Sequence, residues 1–116
     1  MSTAGDAAEP ALRVVLCNVP PDRAEALARA VLDARLAACV NILPGMISLY
    51  RWQGAIERSE EVVMIIKTRA SLAQQVSLAV KEMHSYTTPA ILVVPLESVD
   101  PDYHAWIEAE TAEADV

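Results

Sequence analysis

At 116 residues the chain is long enough for one core and too short for two, since single cores form at roughly 100–150 residues. Its apolar fraction of 53% is high for a domain of this size, so part of the aliphatic surface is expected to enter a subunit interface. Nine basic against sixteen acidic residues, a formal charge of −7, weigh against the electrostatic footprint of a nucleic-acid or anionic-membrane partner.

The opening stretch MSTAGDAAEP carries two acids and no basic region, which is unlike a secretory signal. Residues 1–11 are expected to be a flexible leader, 12–110 a single domain and 111–116 a flexible tail. No segment reaches the ~18–20 apolar residues of a membrane span. Two well-separated cysteines without an export signal fit reduced thiols, and a cytoplasmic location is expected.

The run from Leu12 to Asn18, rich in β-branched residues and stopped by Pro20 and Pro21, predicts a buried strand. Asp22 and Glu25 have capping-box spacing, and Ala24, Leu27, Ala28, Val31 and Leu32 then recur at helical spacing. This helix is expected to end near Arg35, where a cation suits the negative end of its macrodipole. Cys39 to Trp52 reads as one long strand bent or bulged at Pro44-Gly45. Gln53-Gly54 predicts a hairpin turn, and Glu61 to Thr68 the returning strand. A second capping box, Ser71 with Gln74, precedes a stripe of Leu72, Val76, Ala79, Val80 and Met83 that runs to His84. Ala90 to Leu96 is the last strand. Asp100-Pro101 then opens a short helix with Tyr103, Trp106 and Ile107 expected on its inner face.

The order βαββαβ plus a terminal helix predicts an α+β, ferredoxin-like domain: an antiparallel sheet of order 4-1-3-2 with both main helices on one face. The second strand is then a long apolar edge ending in Tyr50, Arg51 and Trp52. Such an edge is normally covered, and closed symmetry with other copies of the chain would cover it.

Cys17, Cys39 and His84 are the side chains with soft-metal chemistry, suited to Cu(I) or Zn(II), although no CxxC or HxxxH spacing unites them. The topology places Cys17 and His84 at one end of the domain and Cys39 at the other, two strands away. That is about 10 Å, beyond the ~7 Å reach of a disulfide. A site using both thiols therefore needs more than one subunit or must be dynamic. Each residue also has a plain structural role open to it. Cys39 follows two alanines and suits a small core position; His84 suits the last turn of a helix. Cys17 with His84 could form a thiolate–imidazolium pair. An orienting acid and a glycine-rich oxyanion loop are lacking, there being only three glycines in the chain, and no catalytic residue is assigned.

The stretch RLAACVNILPGMISLYRWQGAIERSEEVVMIIKT, residues 35–68, closely resembles the core of the CutA family of divalent-cation-tolerance proteins. HSYTTPAILVVPL and DPDYHAWI are similar to that family's closing motifs, in the right order and at the right intervals. The likeness runs from about Val14 to about Ile107. It implies a stable homotrimer of ferredoxin-like subunits, similar in assembly to the P-II type nitrogen-signalling trimers, with a link to copper and other divalent metals and no established catalysis. It also implies metal ligands at Cys17, Cys39 and His84. Ser85 and Ala90 stand where the family usually has proline and glutamate, which loosens the turn after His84 and removes a carboxylate. The partners implied are sister subunits, metal ions and, in the P-II likeness, a small effector or partner protein held in clefts between subunits.

Overall fold

The structure, a computed structural model, describes residues 10–112. Its elements are β1 (Leu12–Val19), α1 (Ala24–Asp33), β2 (Cys39–Trp52), β3 (Ala55–Arg69), α2 (Ala73–Met83), β4 (Ile91–Pro95) and α3 (Pro101–Glu110). The sheet runs β2-β3-β1-β4, and every neighbouring pair is antiparallel. This is the ferredoxin-like order that the sequence predicts.

Side chains alternate across a strand, so register decides what each face buries. Val15 pairs with Ile66 and Cys17 with Met64. These residues point to one side and form a closed core with Leu27 and Val31 of α1 and Val76 and Val80 of α2. Each of these aliphatic side chains, fully withdrawn from water, stabilises the fold by roughly 1.5–3 kcal/mol. The opposite parity, Val14, Leu16, Val63, Ile65, Leu92 and Val94, makes a second apolar face. At the start of β1 it is covered, where Leu12 and Ile107 of α3 are both buried. Tyr103 and Trp106, expected inside, are instead 37% and 42% exposed. They stack on each other at 5.6 Å, because α3 meets the sheet through Ile107.

Both capping boxes fail to form. A 3-10 turn opens each helix, at Pro21–Arg23 and Ala70–Leu72, without a side-chain cap. The Arg23 N–H donates to the Pro20 carbonyl at 3.0 Å, so an i→i+3 backbone bond does the work assigned to Asp22. Helix α3 does follow its signal: the Asp100 carboxylate accepts the N–H groups of Asp102 at 3.0 Å and Tyr103 at 3.2 Å.

The end of α1 differs from expectation in an informative way. Arg35 adopts a left-handed φ of 58°, its N–H donates to Leu32 at 2.9 Å, and the next N–H, of Leu36, reaches back to Val31 at 3.0 Å. This is a Schellman motif with arginine where glycine is usual. The Arg35 guanidinium serves a different helix, donating to the Ala109 carbonyl of α3 at 3.1 Å. At the far end of the sheet Gln53 and Gly54 have φ of 49° and 85°, the two positive values of a type I′ hairpin turn. The bulge between Leu43 and Met46 falls at Pro44-Gly45 as expected, with Gly45 at φ 81°.

The expected leader and tail lie mostly outside the described residues. Two residues assigned to the tail are held in place: Thr111 is buried, and the Ala112 N–H donates to the Arg35 carbonyl at 2.7 Å. Among the described residues no helix is long and apolar enough to cross a membrane.

Candidate functional site

The three predicted metal donors do not meet within a protomer. Cys17 sits in the core on the helix side of β1, 1% exposed, and burial pushes its thiol up to about 11. Cys39 begins β2 on the other face. Its register partner on β3 is Lys67, and that of Cys17 is Met64. Three residues along a strand and two strands across separate the thiols by about 14 Å. Lys67 approaches the Cys39 sulfur at 3.9 Å and also donates to the Asn41 side chain, so a cation already occupies this corner.

His84 follows the last turn of α2 and uses both ring nitrogens. The Tyr86 N–H donates to Nδ1 at 3.1 Å, which leaves the proton on Nε2, 2.7 Å from the Asn18 carbonyl oxygen. The imidazole thus ties the exit of β1 to the exit of α2. Neither a thiolate at Cys17 nor a free imidazole nitrogen is on offer for nucleophilic chemistry. Among the described residues no group of three or more His, Cys, Asp or Glu side chains is placed to hold a metal ion. The donor set of one protomer therefore does not fit a metal.

A different concavity is well formed. Beyond the bulge, Ser48, Tyr50 and Trp52 of β2 share a face with Glu61 of β3, through the pairs Met46–Glu61 and Tyr50–Glu57. The turn after His84 folds over that face and brings Tyr86 to it. This half-open cleft has a volume of about 910 Å³. Glu61 lies at its floor, 5% exposed, and its carboxylate faces the Tyr86 phenol. Partial desolvation and then the Glu61 carboxylate push the Tyr86 phenol up to about 12, so it stays a donor. Glu61 was legible only as a charge heading an apolar strand. Its cover comes from beyond α2, which no local pattern announces.

The profile of the CutA1 divalent ion tolerance proteins matches residues 13–110. The chain belongs to the CutA1 family. It is 45% identical over 97 residues to the divalent-cation tolerance protein CutA of Pectobacterium atrosepticum, covering 83% of this chain and 88% of that one. The Citrobacter koseri CutA is 44% identical over 105 residues, 90% of this chain and 91% of the relative. Among solved structures, CutA1 from Oryza sativa superposes with a TM-score of 0.87 at 34% identity, over 92% of this chain and 99% of its own. The Thermus thermophilus divalent cation tolerance protein gives 0.83 at 37%, over 87% and 99%. The resemblance carried by the AACVNILPG, YRWQG and HSYTTP stretches thus extends to the whole fold.

Proposed function

We propose that this chain acts as a non-enzymatic homotrimer in the response to divalent cations, copper among them, with metal donors completed between subunits. The observation that carries this is the free edge of β2. It is 14 residues long, and its arm, with the facing strand, leaves Ile47, Leu49 and Ile56 55%, 69% and 69% exposed. Backbone groups and apolar side chains presented together along an edge are a template for another chain, and closed symmetry removes the edge. Membership of the divalent ion tolerance family supports the link to divalent cations. The half-buried Cys39 on that edge strand is the thiol a sister subunit can reach, and thiolate favours Cu(I). Cys17 would have to leave the core to take part.

Sedimentation equilibrium of the reduced protein is expected to give three times the chain mass. Cu(I) titration is expected to lose stoichiometry with Cys39→Ser, and less with Cys17→Ser or His84→Ala. A monomeric mass would reject the assembly, and unchanged binding in all three variants would reject the metal sites.

A second reading is supported by the cleft at Glu61. Its volume suits a small molecule, and a trimer would present three copies as effector sites for signalling. Thermal-shift screening of metabolites with metals chelated tests it: a ligand-induced rise is expected, and a flat response rejects it.

A further inference from the structure

The Glu61 carboxylate is an unusual resident for the floor of a cleft. It is 5% exposed, yet among the described residues no ion pair is made to it. The polar group facing it is the neutral Tyr86 hydroxyl. A buried carboxylate is costly unless a cation or several donors answer it, and one phenol satisfies only one of its lone-pair sites. Arg51 borders the cleft but stands at the alternate position of β2, one residue out of step with Tyr50 and Trp52, and does not pair with Glu61.

The walls have their own chemistry. Tyr50 and Trp52 stand on the Glu61 side of the arm, and Tyr86 closes from the turn; all three line the cavity. They are 42%, 45% and 38% exposed, which leaves ring surface for a guest. The Tyr50 hydroxyl is held by Ser59 at 2.8 Å, and His84 packs on the Tyr86 ring at 4.6 Å, so two of the three rings are braced. Trp52, paired with Ala55, stands six strand positions or about 20 Å from Glu61 and lines the far end of the cavity; the Tyr50 and Tyr86 rings beside the carboxylate are the groups that would attract an organic ammonium, through ring quadrupoles and the counter-charge together. A bare divalent ion is served worse, since a single carboxylate with phenols and hydroxyls falls short of the six or more oxygens that hard cations collect.

We propose that the cleft between the β2–β3 arm and the turn at residues 84–90 binds a small organic ammonium ligand, with Glu61 as its counter-ion and Tyr50 and Tyr86 as its walls. This rests on the effector reading of the cleft and gives that effector a chemical class.

Choline and its neutral isostere 3,3-dimethylbutan-1-ol serve as probes. Binding to the full chain is followed by saturation-transfer NMR and by Trp52 fluorescence in a Trp106→Phe background, with the oligomeric mass measured in every sample. Choline is expected to saturate, the isostere to bind at least about tenfold more weakly, and Glu61→Gln to weaken choline by a similar factor. Tyr86→Phe, which keeps the ring and removes the donor, is expected to give a smaller loss. Equal binding of the two probes overturns the ammonium assignment while leaving an effector cleft in place, and so does displacement of choline by Mg²⁺ at equal concentration. No saturable choline binding also overturns it, and the metabolite screen then decides separately whether the cleft takes an effector. The comparison of the two probes on the unaltered protein needs no variant to fold.

Discussion

The Nε2 of His84 lies 2.7 Å from the carbonyl oxygen of Asn18, although 66 residues separate them in the chain. With Nδ1 accepting from Tyr86, this imidazole fastens the turn that roofs the Glu61 cleft to the end of β1. Replacing it by alanine leaves the Asn18 carbonyl and the Tyr86 N–H to water. His84→Ala is expected to destabilise the fold by about 1–3 kcal/mol. Amide exchange should accelerate at Tyr86 and Thr87 before it does in the sheet. Unchanged exchange there would show that the ring is not the fastener.

Cys17 makes stability depend on alkaline pH. Its thiol is raised by burial from 9.0 to about 11 in the folded protein. Between those values the unfolded chain releases a proton that the native chain keeps, so stability is fully present below about pH 9 and falls as pH rises towards 11. The contribution is of order 2 kcal/mol. Urea titrations across this range should show a steeper loss for the unaltered protein than for Cys17→Ala. Iodoacetamide should label Cys17 only on unfolding.

Gln53 occupies a left-handed position, φ 49°, where most residues pay a steric penalty. Gln53→Asn keeps the type I′ turn and suits that conformation better. A gain of about 0.5–1 kcal/mol is expected, measured by chemical denaturation, with the register of the arm unchanged. A loss of stability would mean that the Gln53 side chain contributes more than its backbone costs.

Arg69 joins α3 to the sheet. Its Nε donates to the Thr111 hydroxyl at 2.7 Å, and its guanidinium also reaches the Glu108 carbonyl. Arg69→Ala is expected to cost about 1.5–3 kcal/mol, as for hydrogen bonds to a charged group. Arg69→Lys should recover little, because an ammonium cannot span both acceptors. Hydrogen exchange of α3 reads the result: the helix should open while α1 and α2 stay protected.

Local pattern alone settled the element order, the hairpin turn at Gln53-Gly54, the bulge at Pro44-Gly45 and the cap at Asp100. Each of these depends on residues within a few positions of one another. Family membership was legible too, in stretches such as AACVNILPG and HSYTTP. Tertiary structure decided the rest. It put Cys17 inside and Cys39 on the opposite face, because strand register assigns sides and a thiol looks the same to the sequence on either. It replaced two capping boxes by 3-10 turns, lent Arg35 to a helix that starts 66 residues later, and buried Glu61 under a turn from beyond α2. Those outcomes depend on which distant segments pack together, and short-range periodicity carries no information about that.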